Sequence, residues 1–110
     1  GQVRFVVCLS DSNVPIGIVD LYQIDFSTET GEIGVVIVNV KNRNKGYARE
    51  GLRLVHTYAH DVLGIQSLIA RVEKNNVASN ALFSSLGYEL QKPMSSSEDK
   101  NDFKIMLEGI

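Results

Sequence analysis

The stretch that decides the fold is residues 35–52, which read VVIVNVKNRNKGYAREGL. The first part is a run of β-branched residues, typical of a buried strand, and the last part opens a helix. The first N–H groups of a helix have no acceptor within it, and the helix dipole makes that end positive. Gly46 has no side chain, so an anion can approach the backbone closely there. Together with the charges of Arg43, Lys45 and Arg49, the stretch predicts a seat for a phosphate or pyrophosphate.

Length and composition limit the class of protein. A chain of 110 residues is long enough for one domain with a modest core. The net charge of -2, without a basic run, argues against general binding of nucleic acid. No apolar run reaches the roughly 18 residues that a membrane helix needs, and no signal peptide opens the chain, so we expect no membrane partner. The single cysteine, Cys8, suits a reducing cytoplasm, and we interpret it as a small core residue.

Three strands are predicted ahead of the first helix, at residues 3–9, 16–26 and 32–40, and they can pair as an antiparallel meander. The third is the most apolar, which suits a central position covered on both faces. Asp20 and Tyr22 interrupt one face of the second strand. This interruption fits equally well the wall of a pocket or an edge of the sheet that meets solvent.

The second half of the chain predicts two helices and three more strands. The first helix spans residues 46–63 and ends at Gly64; its apolar stripe consists of Ala48, Leu52, Val55, Ala59 and Val62. A strand at 67–72 leads to a helix at 77–86, with Asn76 as a cap and Gly87 as its stop. Strands at 88–90 and 102–107 follow, joined by a polar loop at 92–100. The order β-β-β-α-β-α-β-β predicts a mixed α/β fold on an open twisted sheet.

Two motifs carry a resemblance to a known family. They are Arg43-x-x-Gly46-x-Ala48 and Asn76-x-x-Ser79-x-x-Leu82-Phe83-x-x-x-Gly87-Tyr88. With the order of elements, they resemble the GNAT superfamily of acetyl-CoA-dependent N-acetyltransferases, in particular the ribosomal-protein-alanine and spermidine acetyltransferase branch. The resemblance covers essentially the whole chain. It implies a GNAT-like sheet, with a V-shaped gap between the third and fourth strands, and transfer of an acetyl group from acetyl-CoA to a primary amine, without a metal. The amine would be a polyamine, a protein N-terminus or a small amine.

The resemblance also implies where acetyl-CoA binds. Its pyrophosphate would lie on the N–H groups that open the first helix, and its pantetheine arm along the third strand, with a hydrogen bond from Asn76. The implied cofactor-binding residues are Val36, Val38, Val40, Arg43, Asn44, Lys45, Gly46, Tyr47, Ala48, Arg49, Asn76, Ser79 and Phe83.

The catalytic groups depart from the family pattern. The resemblance implies direct attack by the amine and an oxyanion stabilised by a strand N–H near Val36. The usual tyrosine acid of the second helix is replaced by Phe83, which has no proton to donate. Where some relatives carry a base glutamate, this chain has Arg71. Glu32 is therefore the candidate base, with Tyr22 and Asp20 as alternatives.

Several alternatives stay open. The family normally has a strand and two helices ahead of residue 3, so we interpret the chain as a truncated cofactor-binding core that could be inactive. The same fold could serve as a non-catalytic acyl-CoA-binding or regulatory module, and an unrelated nucleotide-binding module could use the same helix terminus. An uncovered apolar face would favour a homodimer. His56 and His60 could share a metal, but we expect both to be solvated, because no third ligand is evident.

Overall fold

Six strands and two helices make up the part of the chain that the computed structural model describes, which is residues 1–9, 11–37, 46–92 and 99–107. The elements are β1 (Val3–Cys8), β2 (Pro15–Asp25), β3 (Thr30–Ile37), α1 (Tyr47–Asp61), β4 (Ser67–Glu73), α2 (Val77–Ser85), β5 (Glu89–Leu90) and β6 (Lys100–Met106). Their order confirms the predicted β-β-β-α-β-α-β-β sequence. Residues 38–40 of the predicted third strand and 93–98 of the predicted loop lie outside the described residues.

The strands form one sheet in the order β1-β2-β3-β4-β6-β5. β1, β2 and β3 pair as an antiparallel meander, β3 and β4 are parallel, and β6 is antiparallel to both β4 and β5. The predicted mixed sheet is therefore confirmed. Because β2 lies between β1 and β3, the interpretation of Asp20 and Tyr22 as a solvent-facing sheet edge is wrong.

Both helices pack on the same face of the sheet. One contiguous buried cluster joins Val19 and Ile33 of the sheet to Leu52 of α1 and Phe83 of α2. Alternate residues of each strand point to the opposite face, where the described residues supply no helix. The prediction that β3 is covered on both faces is wrong for this opposite face, on which Val36 is 57% exposed. We call it the open face.

Helix α1 buries a slightly different stripe from the one predicted. Leu52, Val55 and Ala59 are buried as expected, whereas Val62 is 63% exposed, because the helix ends at Asp61 and Val62 is only its cap. Gly64 follows with a φ of 70°, the left-handed conformation that commonly ends helices. No helix among the described residues is long and apolar enough to cross a membrane.

Two predictions about single residues are wrong. Cys8 is exposed rather than part of the core, because it is the last residue of β1, which lies at an edge of the sheet. His56 is 97% buried rather than solvated. Its Nε2 lies 2.6 Å from the hydroxyl of Tyr88, so the polar group is paired inside the core. His60 is partly exposed, and its Nδ1 lies 2.9 Å from Asp61 Oδ1.

Candidate functional site

The sheet opens between β3 and β4. The two strands pair over only three positions, from Thr30↔Ser67 to Glu32↔Ile69. On its other edge β3 stays paired with β2 as far as Ile37, and β4 stays paired with β6 along its whole length. The parallel strands therefore diverge beyond Glu32, which confirms the predicted splay. A splay of this kind leaves a gap into which an extended ligand can lay its own amides.

Two adjoining cavities occupy the splay, and they share residues 35, 36, 76 and 79. The first has a volume of about 560 Å³ and is lined by residues 35–37, 46–49, 76, 78, 79 and 82. The second, of about 360 Å³, is lined by residues 4, 18, 20, 22, 33–36, 71–73, 76, 79 and 83. Both volumes are typical of small-molecule sites. Together they form a cleft that runs from the beginning of α1 to the open face.

The beginning of α1 forms one end of the cleft. Gly46 is the N-cap residue, with φ 82° and ψ 2°, and no described side chain accepts a hydrogen bond at this cap. The first N–H groups of the helix, on Tyr47, Ala48 and Arg49, therefore have no acceptor in the helix and adjoin the first cavity. Among the described residues a Cβ on Gly46 would meet nothing within 4 Å, so the left-handed φ is the observed reason for glycine here. This arrangement can bind an anion.

Five residues predicted to bind the cofactor cannot be placed. Val38, Val40, Arg43, Asn44 and Lys45 lie outside the described residues. The remaining eight, from Val36 to Phe83, all line one or both cavities. The described part of the prediction is thus brought together in a single cleft.

Arg49 joins the two helices at the cleft. Its Nη2 donates a hydrogen bond to Ser85 Oγ, and Ser85 Oγ in turn donates to the carbonyl of Leu82 at 2.7 Å. Since serine is neutral, the charge of Arg49 is not compensated by any described carboxylate. The guanidinium therefore adds positive potential beside the first turn of α1. Sequence reasoning predicted Arg49 but missed Ser85, because 36 residues separate the two.

Asn76 stands where the two cavities meet. Its Oδ1 accepts a hydrogen bond of 3.1 Å from the backbone N–H of Ser79, which confirms the predicted N-cap. An amide whose oxygen is engaged in this way still has two N–H donors on Nδ2. Asn76 can therefore cap α2 and donate to a ligand carbonyl in the cleft at the same time.

The candidate bases lie on the open face. Tyr22 and Glu32 are direct cross-strand neighbours. Arg71 Nε lies 3.6 Å from Glu32 Oε1 and 3.8 Å from Asp102 Oδ1, so it is an ion-pair partner of both without a close hydrogen bond to either. Asp102 carried no sequence signal, because only the pairing of β4 with β6 brings it beside Arg71.

Asp20 and Tyr22 are poor candidates for a base. Arg4 donates to both oxygens of Asp20, at 2.8 and 3.0 Å, and this pairing holds the pKa of Asp20 below its usual value. Burial, helped by the nearby carboxylate of Glu32, raises the pKa of Tyr22, so its phenol keeps its proton at neutral pH. Tyr22 is therefore better suited to donate a proton than to accept one.

Phe83 closes the bottom of the second cavity. It is 97% buried, with its ring centroid 5.0 Å from that of Tyr88 in an edge-to-face contact. The hydroxyl of Tyr88 does not replace the missing tyrosine, because it is bound to His56 and Tyr88 lines neither cavity. Burial also raises the pKa of Tyr88. Among the described residues, no three or more His, Cys, Asp or Glu side chains are grouped so that they could hold a metal ion.

Comparisons with known proteins agree with this geometry. Residues 1–89 match the family model described as acetyltransferase (GNAT) domain. Among solved structures, spermidine N-acetyltransferase from Vibrio cholerae in complex with CoA and spermine superposes with a TM-score of 0.86 at 20% identity, over 96% of this chain and 66% of that one. A domain from Methanocaldococcus jannaschii superposes with a TM-score of 0.83 at 27% identity, over 96% of this chain and 67% of that one. The chain thus spans about two thirds of each of these structures.

Proposed function

The chain belongs to the GNAT acetyltransferase family, and on this premise we propose that it transfers an acetyl group from acetyl-CoA to a primary amine. The observation that carries the proposal is the coincidence of two features. The parallel strands β3 and β4 separate beyond Glu32, and the first turn of α1, which no described side chain caps, adjoins the same cleft. The gap between the two strands suits the pantetheine amides, and the first turn of α1 suits the pyrophosphate.

Each end of the cleft has a proposed role in binding acetyl-CoA. The N–H groups of Tyr47, Ala48 and Arg49 bind the pyrophosphate. The pantetheine arm pairs with the main chain of β3 near Val36. The Nδ2 of Asn76 donates to a pantetheine carbonyl, since its Oδ1 is already engaged by Ser79.

The chemistry proceeds on the open-face side of the cleft. The amine attacks the thioester carbonyl, the C–N bond forms, and the main-chain N–H near Val36 stabilises the oxyanion. The C–S bond then breaks and CoA leaves as a thiolate. Glu32 takes the proton that the amine loses, and the thiolate receives a proton from water or from Tyr22, because Phe83 has none. In the proposal, the amine enters through the second cavity, which residues of the open face line.

The acceptor is proposed only as a class: a polyamine, a protein N-terminus or a small amine. The similarity to spermidine N-acetyltransferase, at 20% identity, supports the fold but not the choice of amine. The residues of the second cavity do not by themselves select one amine. Asp20 and Glu32 add negative charge that would attract an ammonium group, but Arg4 and Arg71 offset part of it.

A second candidate function is a non-catalytic acyl-CoA-binding module on the same fold. Phe83 favours it, because the buried ring occupies the place of the family's proton donor. Such a module would keep the seat at α1 and the strand β3 but would not need Glu32.

Calorimetry and a thiol-release assay separate these functions. The proposal expects CoA and acetyl-CoA to bind more tightly than ATP, and it expects thiol release when a panel of primary amines is added. Binding of CoA without acetylation of any amine would favour the module. Binding of ATP but not CoA would refute both functions.

A further inference from the structure

A series of hydrogen bonds through the side chains of Asn101 and Asn80, which we call the relay, runs from β6 to the main-chain carbonyl of Asn76 at the cleft. Asn101 Nδ2 donates to Asn80 Oδ1 at 2.8 Å, and Asn80 Nδ2 donates to the main-chain carbonyls of Glu73 and Asn76 at 2.9 and 2.7 Å. We infer that Asn80 and Asn101 are positioning residues that set the affinity for CoA by fixing Asn76. This inference rests on the proposed function, in which Asn76 binds the pantetheine arm.

The orientation of the Asn80 amide is determined by its neighbours. Two main-chain carbonyls, those of Glu73 and Asn76, can only be paired by the N–H groups of Nδ2. The oxygen must then face Asn101, whose own Nδ2 supplies the hydrogen. Both donors of Asn80 and one side of its oxygen are used, so this side chain has a single satisfied arrangement.

These contacts do more than stabilise the first turn of α2. Asn80 already makes the ordinary helical bond from its backbone N–H to the carbonyl of Asn76, at 3.1 Å. The bonds to Glu73 and from Asn101 leave the helix, because Glu73 ends β4 and Asn101 belongs to β6. The relay therefore ties the turn before α2 to two strands of the sheet. A bond from the N–H of Lys74 to the carbonyl of Asp99, at 2.9 Å, adds a second tie between the same regions.

The turn needs such ties because Asn76 is exposed. An exposed asparagine on a free turn would lose conformational freedom on binding, and that loss would weaken the affinity. Here the backbone of Asn76 is held through its carbonyl by Asn80, and its side chain through Oδ1 by Ser79. The Nδ2 group has no partner among the described residues and is the donor that remains to meet a ligand. Preorganisation by supporting side chains of this kind typically improves the precision of a binding site.

Asn75 provides a matched control. It is an exposed asparagine in the same turn, and within the described residues its side chain makes no hydrogen bond. Replacing it by alanine removes the same group without touching the relay. Any general effect of an asparagine-to-alanine change in this turn will appear in this variant as well.

The test is a double-mutant cycle on CoA affinity, measured by calorimetry on the full chain. Asn80→Ala and Asn101→Ala should each weaken CoA binding about two- to tenfold, the range that one or two net hydrogen bonds represent. Asn75→Ala should leave the affinity unchanged. In an Asn76→Ala background, Asn80→Ala and Asn101→Ala should have no further effect, because the group that they position is gone.

Each other outcome overturns the inference. Equal losses with and without Asn76 would show that the relay supports the fold generally, as would a loss in the Asn75→Ala variant. Unchanged affinity in both relay variants would show that the turn is held without them. If Asn80→Ala does not fold, Asn101→Ala carries the test, since it leaves both bonds from Asn80 Nδ2 in place. If the unaltered chain binds no CoA, the proposed function fails first and the inference falls with it.

Discussion

Replacing Gly46 by aspartate and, separately, by asparagine tests the anion seat with a matched pair of variants. The residue has φ 82°, and both asparagine and aspartate tolerate this left-handed conformation better than other side chains do. Among the described residues nothing lies within 4 Å of a Cβ at this position, so the described surroundings leave room for either side chain. The two side chains have nearly the same size. They differ in a negative charge placed at the first turn of α1.

The size of the effect follows from Coulomb's law. A carboxylate about 4 Å from a phosphate charge is repelled by about 1 kcal/mol in bulk water and about 4 kcal/mol near a protein surface. These energies correspond to a loss of affinity of about fivefold to about 10³-fold. Gly46 is exposed, which places the expected loss toward the lower end, at about tenfold. The same charge is favourable for the helix dipole, so Gly46→Asp should fold at least as stably as Gly46→Asn.

Calorimetry with CoA at low and high salt measures this difference. The affinity ratio of the two variants should shrink as salt rises, because the Debye length falls from about 10 Å at 0.1 M to about 3 Å at 1 M. Thermal unfolding of both variants shows that the loss is not one of folding. If Gly46→Asp and Gly46→Asn bind CoA equally at low salt, the pyrophosphate does not lie at the beginning of α1.

Three further predictions concern catalysis, pH dependence and assembly. Glu32→Gln should lower kcat about 10²-fold at pH 7 with little change in CoA affinity, as expected for loss of a general base. Glu89→Gln, on the exposed strand β5, is the control. An equal loss of kcat in both variants would exclude Glu32 as the base. Burial and the nearby Arg53 lower the pKa of His56 to about 4, below the ordinary value near 6.5. The contribution of neutral His56 to the free energy of unfolding is therefore fully present above pH 6.5 and is lost as the pH falls from 6.5 to 4. The free energy of unfolding, measured with urea, should fall by up to about 3 kcal/mol over this pH range, and the fall should be smaller in the His56→Gln variant. Val6 is exposed on the edge strand β1, so we expect a dimer. Light scattering should give the mass of two chains for the unaltered protein and of one chain for the Val6→Lys variant. A single-chain mass for the unaltered protein would refute the dimer.

The sequence predicted the elements well because each carries a local signal. The β-branched runs, the stripe of α1 and the cap at Asn76 all follow from residues within a few positions of one another. Gly46 and Gly64 likewise announce their left-handed backbone by residue type. The meander, the splay and the position of the described cofactor residues then follow from the order of the elements and the family resemblance.

What the sequence could not predict depends on partners that are distant along the chain. His56 looks like a boundary residue in its own helix, and only Tyr88, 32 residues later, makes its burial possible. Asn101 gives no signal until β6 brings it beside Asn80, 21 residues earlier. Cys8 sits in an apolar run typical of a buried strand, yet an edge strand with one open face exposes every second residue. In each case the local pattern is ordinary and the tertiary pairing decides.

The pleat of β3 explains how one strand can serve both substrates of the proposed reaction. Ile33 packs into the core under the helices, while Glu32 and its cross-strand neighbour Tyr22 lie on the open face. The main chain between the two faces borders the splay. Acetyl-CoA can therefore approach along the cleft from α1 while the amine arrives from the open face. Phe83 offers no proton on the helix side, so in the proposed reaction the proton transfers run through groups on the open face or through water.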